Sequence, residues 1–362
     1  MSAIFSNFIT IILIPVIITI ICSLFFLYKG DAIKKKRAIH LKRKETKKEH
    51  PHNEGDIPFA YIGNQKTSII SCVGTGTERI RSKHITSLLR HEAITLPEQL
   101  TQRREQIEQS RAMYNTKQVA LHSFKDSKTD YDEQQHLTLQ FVMSDYYTYQ
   151  ATNAQLDKPF PNNTYPSIRS GFLQGVDDWR KPIPFLANGV GVIGTVITSD
   201  HQVILTKRNS HTGVRPGEWD VSVVEAIDPV ADRSSTQSGP DIVQSVIRGV
   251  EQEVGLQIDP DQVHILGLAL DMKYYQWNLF ATIKVEETFQ EVIQVNSAGV
   301  HGSNEIDRYH RADVSIESFA ELFPRDDIWD TGKWALYWTL LYEEKQRSRV
   351  HKELVRIFKK KG

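Results

Sequence analysis

An apolar run of 21 uncharged residues, Phe8 to Tyr28, is followed at once by a dense basic stretch. That pairing constrains the chain more than any other feature. A helix rises about 1.5 Å per residue, so about 20 such residues cross a bilayer core. Pro15 lies inside the run, and a membrane helix tolerates proline better than a soluble one does. Between Lys29 and Lys48 stand ten Lys or Arg against two acids, Asp31 and Glu45. Positive charge marks the cytoplasmic flank. The seven residues ahead of the run carry no basic side chain. The expectation is a transmembrane helix over 8–28 and a basic juxtamembrane tether over 29–56. The protein is then a single-pass inner-membrane protein whose C-terminal domain is cytoplasmic and whose basic flank touches lipid. A cleaved signal peptide would carry a basic n-region and a small-x-small cleavage site, and neither is present. A charge run alone does not argue for a nucleic-acid polymer, so none is expected as a partner.

Lys plus Arg equals Asp plus Glu at 44 each, so the basic flank is balanced by a mildly acidic remainder. With only Cys22 and Cys72, a disulfide framework and a cysteine-based zinc site are both excluded. Beyond the flank the chain suffices for one large or two ordinary domains. An α+β accessory region is expected over 57–180. In it Ile69, Ile70, Cys72 and Val73 read as a short buried strand or helix start. Thr95-Leu96-Pro97-Glu98 opens a polar surface helix running to about Met113, and Leu137, Leu139 and Phe141 alternate as in a strand.

The second half is better patterned. Gly189 to Thr198 and Gln202 to Lys207 read as two strands joined at Ser199-Asp200. Gly189, Gly191 and Gly194 spell G-x-G-x-x-G, yet the chain continues as strand where a dinucleotide site needs a helix, so the match is rejected. From Asp241 to Leu256, Ile242, Val243, Val246, Ile247, Val250 and Val254 fall at helical spacing, and Gly255 is placed to end that helix. Arg248, Gln252 and Glu253 lie mostly off the apolar stripe. Carboxylates grouped on such a face can hold Mg²⁺, a hard, oxygen-liganded ion. Histidines between His201 and His310 have no metal-ligand spacing. Tyr274, Tyr275 and Trp277 either stack a base or fill the core.

The stretch Arg248-Gly249-Val250-Glu251-Gln252-Glu253-Val254-Gly255-Leu256 resembles the end of a Nudix box, and Trp219 to Glu225 resembles its opening strand and loop. The likeness covers roughly 184–350. It departs from the family at Gly249 and Gln252, where the box carries Glu, at Val223-Val224, and in an insertion from Asp228 to Gly239. The resemblance implies a Nudix-like α/β/α sandwich over 184–350. It implies Glu253 and Glu225 as catalytic carboxylates, and Glu253, Glu225 and Glu251 as Mg²⁺ ligands. Arg248 orients the helix carboxylate, and Glu305 is a further acid from a loop. A helix from Trp329 to Glu344 is expected to close the fold on Trp334, Trp338 and Leu341.

Two functions follow from that resemblance. One is a membrane-anchored hydrolase of a nucleoside diphosphate derivative. Its layout resembles membrane-tethered Nudix effectors of bacterial antiphage (CBASS) defence. The other is a catalytically weak nucleotide sensor acting at the membrane, which Gln252 favours because it cannot supply a ligand's charge. A partner-binding scaffold stays open as a third, and so does a homo-oligomer.

Overall fold

The computed structural model describes residues 57–110, 114–128, 134–159, 166–210, 216–297 and 306–361. In chain order the strands are β1 (Tyr61–Ile62), β2 (Gln65–Lys66), β3 (Ile69–Val73), β4 (Ile85–Ala93), β5 (Lys117–Lys128), β6 (Gln135–Asp145), β7 (Gly191–Ile197), β8 (Gln202–Arg208), β9 (Trp219–Val221), β10 (Val223–Ala226), β11 (Val263–Asp271), β12 (Gln276–Lys284) and β13 (Ile306–Asp313). The helices are α1 (Glu98–Ser110), α2 (Tyr146–Ala151), α3 (Ile168–Phe172), α4 (Ile242–Gly249), α5 (Phe289–Ser297), α6 (Ile316–Leu322), α7 (Asp330–Glu344) and α8 (Arg347–Lys361).

One mixed sheet carries the order β13-β8-β7-β12-β11-β3, with β10 added to β7 and β9 to β8. A smaller sheet, β4-β6-β5, is built from the earlier part of the chain. The expected pair of strands around Ser199-Asp200 is present but splays. Only Ile197 and Val203 pair directly. Beyond that point β10 takes the edge of β7 and β9 takes the edge of β8. Ser222, between β9 and β10, fills the fork: its hydroxyl accepts from the Val196 amide at 2.9 Å and donates to the Ile204 carbonyl at 2.7 Å. Each otherwise orphaned backbone group in this buried place is thereby satisfied.

On β7 and β12 every residue short of the strand ends is buried, because both faces of the sheet are covered. One face packs under α7, whose Trp334, Trp338 and Leu341 are buried with Phe280 as expected. Under the other face lies α4. Alternation along β12 puts Gln276, Asn278, Phe280 and Thr282 on one side. The far end of that row is covered by α7, where Thr282 and Thr339 hydroxyls meet at 2.9 Å. Gln276 and Asn278 lie toward the end where α7 begins.

Earlier chain segments are fastened to this sheet directly. Strand β3 pairs with β11. The buried Asn153 amide donates to the carbonyls of Leu186 and Tyr274 at 2.6 and 2.9 Å. The insertion Asp228 to Gly239 runs along the edge of β4: Gln237 accepts from the Ser87 amide and donates to the Ile85 carbonyl, and the Gly239 amide donates to the Ser87 carbonyl at 3.1 Å.

The expected transmembrane helix over 8–28 and tether over 29–56 fall outside the described residues. Among the described residues no helix is long and apolar enough to cross a membrane. The longest, α7 and α8, have 15 residues each and both carry charges, against about 20 apolar residues for a span. The anchored, single-pass inner-membrane topology with a lipid partner is therefore corrected. What the structure supplies is an α/β fold with a mixed sheet, with no membrane-spanning helix among its described residues.

Candidate ligand-binding cavity

The helix singled out in the sequence is started by Asp241, whose carboxylate accepts from the Val243 and Gln244 amides at 2.9 and 3.2 Å. It widens into a π turn over Val250–Val254, where the Gly255 amide reaches the Val250 carbonyl at 3.0 Å. Gly255 then ends it with φ of 75°, as expected. Such turns alter which side chains share a face, and they recur at functional sites. Gly249 is required by contact: a Cβ there would overlap the Val223 side chain and stand 3.3 Å from the Glu225 Cβ. Helix α4 can thus press on β10 only with glycine at the position where the Nudix box carries Glu.

Arg248 does not reach Glu253. Its guanidinium holds Asp232 through a forked pair at 2.7 and 2.9 Å, Glu225 at 2.9 Å and the Ala226 carbonyl at 2.8 Å. Burial works against its charge, but the two carboxylates more than offset that and push its pKa up. Asp232, fully buried, belongs to the insertion and escaped the sequence reading. An acid inside an apparent insertion gives no periodic signal. Glu253 accepts from the Val224 amide at 2.9 Å. The hydroxyl of Tyr309 donates to the Glu253 carbonyl at 3.0 Å, and burial followed by the Glu253 charge pushes that phenol up to about 12. Glu251 and Gln252 are exposed, and Glu305 falls outside the described residues. So the structure brings Glu225 and Glu253 to the same strand, β10, and leaves Glu251 in solvent. Among the described residues no three His, Cys, Asp or Glu side chains are grouped to hold a metal ion.

A cavity of about 430 Å³ opens on the other face of the sheet. Its floor is a row across three paired strands: Asn278 on β12, Gly191 on β7 and Ala226 on β10 are direct neighbours. Gln276 and Gln118 extend the floor, and Tyr146, Tyr149 and Trp329 are among its walls. Arg208 brings a positive charge to it. Asp145 starts α2 by accepting from the Thr148 amide at 2.7 Å and is gripped by Arg104. That sets Tyr146 and Tyr149, one turn apart, with near-parallel rings 6.2 Å between centroids. Gly189, with φ of 63°, lies so close under Tyr149 that a Cβ would meet the ring at 2.7 Å.

Trp329 is held in place. Its indole N–H donates to Asp271 at 2.9 Å, its ring stacks on Tyr274 at 4.7 Å, and the Lys273 ammonium lies 4.5 Å from the ring centre. Asp271 also accepts from the Ser68 hydroxyl at 2.7 Å and the Lys273 amide at 2.9 Å. Its full burial still raises its pKa above the ordinary carboxylate value. Tyr275 and Trp277, left open between base stacking and core, are core residues, each 0 % exposed.

Three buried polar atoms on residues that line this cavity have no partner among the described residues: Gln118 Oε1, Asn278 Oδ1 and Thr331 Oγ1. Their side chains are 7 %, 1 % and 3 % exposed. A buried polar group without a partner costs about 1–3 kcal/mol, so three on one cavity call for an occupant that satisfies them. Neither Gln118 nor the polar pair Gln276 and Asn278 was singled out in the sequence. On a mostly apolar strand, two amides at alternate positions were the signal that could have found the latter pair.

No protein-family model matches this chain, and no curated protein does. Solved structures that resemble it include the MutT protein of Methanosarcina mazei Go1, with 12% identity over 43% of this chain and 95% of that one and a TM-score of 0.29. A MutT/nudix family protein of Enterococcus faecalis is 11% identical, covering 50% and 83% of the two chains, with a TM-score of 0.24. A bifunctional NMN adenylyltransferase/ADP ribose pyrophosphatase of Francisella tularensis, crystallised with AMP and a manganese ion, is 13% identical, covering 43% and 42%, with a TM-score of 0.27. The likeness to Nudix and MutT hydrolase folds is thus loose and partial, and no site residue is carried over from it. The expected identity, a membrane-tethered Nudix hydrolase or sensor of antiphage defence, is corrected accordingly. Neither a membrane-spanning helix nor a metal-binding cluster occurs among the described residues, and neither the lipid partner nor a homo-oligomer draws support from them.

Proposed function

We propose that this chain binds a small ligand of the nucleotide class in the cavity between β7, β10, β12 and the start of α7. One observation carries the reading: a single cavity combines aromatic walls, a cation and three unpartnered buried polar atoms. Apolar and aromatic walls with few convergent polar groups are what a ligand site needs, and a volume of about 300–1,000 Å³ suits one. A planar ring gains stacking on Tyr149 or Trp329. Its polar edge meets Asn278 and Gln118, and Arg208 brings positive charge to the cavity for a phosphate. Binding itself is the function best supported. Isothermal titration of the full chain with adenosine and cytidine mononucleotides tests it. A saturable 1:1 isotherm is expected, with affinity reduced at least about tenfold in Asn278→Leu, or about 1.4 kcal/mol. Absence of heat with every nucleotide contradicts it.

Mg²⁺-dependent cleavage of a nucleoside diphosphate derivative is the second reading, and it is favoured by the arrival of both Glu225 and Glu253 at β10, which also walls the cavity. Against a resident ion stands the use of those carboxylates: Glu225 is paired with Arg248, and Glu253 accepts from a backbone amide. Glu251 lies apart in solvent. The residues as arranged do not fit a metal centre, and no step is routed through one. Release of mononucleotide from such a derivative on adding Mg²⁺, abolished in Glu253→Gln, is the result that would favour this reading over binding alone.

A further inference from the structure

We infer that the cavity selects ligand rings that carry an exocyclic amino group, through two buried side-chain carbonyl oxygens that have no partner among the described residues. The inference rests on the binding reading above and names the ligand class within it. Asn278 has its orientation fixed: its amide nitrogen donates to the Gln276 carbonyl at 3.2 Å, which leaves Oδ1 for the cavity. Gln276 is fixed in turn by donating to the Gly189 carbonyl at 2.9 Å. The second acceptor, Gln118 Oε1, comes from β5 in the smaller sheet, so both sheets contribute to the cavity.

Glycines lie beside both oxygens. A Cβ on Gly191 would stand 3.0 Å from Asn278 Oδ1, and one on Gly189 would stand 3.5 Å from Gln118 Oε1. A side chain at Gly191 would crowd the Asn278 acceptor. Thr331 adds a hydroxyl that can donate or accept. Two acceptors and one adaptable hydroxyl match a ring edge on which an amino donor stands beside a ring nitrogen. Aminopurines and aminopyrimidines have that edge. A keto ring presents an oxygen where the amino group was and an N–H where the ring nitrogen was, so it has one donor for two acceptors and leaves one of them unmade. A site built around hydrogen bonds rejects an analogue that leaves them unmade far more strongly than an apolar pocket rejects a change of size.

Paired titrations of the full chain test this: AMP against IMP, and CMP against UMP. Whichever ring size enters, the amino member is expected to bind at least about tenfold tighter than its keto counterpart. In Gln118→Met, which keeps the length but removes the acceptor, and in Thr331→Val, the preference should shrink at least about threefold while some binding remains. Circular dichroism of each variant establishes that it is folded, and either variant alone suffices. Equal affinity within each pair, a preference for the keto member, or an amino preference unchanged in both folded variants overturns the inference and leaves nucleotide binding standing. No binding by any of the four overturns the binding reading itself, and this inference with it.

Discussion

Gly249 shows how one residue decides what a helix can do. In the family this stretch resembles, a carboxylate stands there, and the sequence alone records a missing charge. Packing gives the reason: α4 lies so close to β10 that a Cβ would overlap Val223. Alanine is favoured over glycine inside a helix by about 1 kcal/mol. Overpacking a closed contact costs about 1–3 kcal/mol. For Gly249→Ala we expect the second effect to win, with a lower thermal midpoint and a loosened Arg248–Glu225 pair. A higher midpoint would mean that the helix can retreat from the strand at no cost. The same contrast governs Arg248. Its type and position were legible, but its partner Asp232 was not, because spacing along one helix says nothing of an acid brought in by a distant loop.

At the scale of elements, much was legible wherever hydrophobic period and local chemistry agree. The buried stripe and glycine end of α4, the strands β6, β7 and β8, and α7 on Trp334, Trp338 and Leu341 lie where periodicity put them. The splaying of β7 from β8 was hidden, since it depends on Ser222 bridging two backbones that are distant in sequence. So was the part played by Asp228 to Gly239, which reads as a polar insertion and acts as an edge cover for β4. Gln237 makes two backbone hydrogen bonds there with its side chain. Truncation in Gln237→Ala should cost about 1–3 kcal/mol, at about 0.5–1.5 kcal/mol per hydrogen bond. Chemical denaturation of the full chain measures it. A change within about 0.3 kcal/mol, inside the range usual for surface substitutions, would show that the insertion does not hold that edge.

Taken as a whole, the molecule places α4 and its cavity on two faces of one sheet, with Glu225 of β10 also lining the cavity. Of the carboxylates that the sequence pointed to, Glu253 on the π turn and Glu225 on β10 are each engaged by a partner, and Glu251 lies in solvent. The cavity lies opposite, where α7 begins, and it draws Gln118, Tyr146 and Tyr149 from the segment that sequence alone had left without a role. No pattern in a single chain announces such a cavity, because its members are far apart in sequence and join only when β5, β7, β12 and α7 meet. The most direct measurement is a crystal structure of the chain grown with AMP. The account predicts the adenine ring beside Tyr149 or Trp329, with its amino group within hydrogen-bond distance of Asn278 Oδ1 or Gln118 Oε1. Adenine seated instead against Glu251 and Gln252 on the α4 face, with this cavity holding only water, would contradict it.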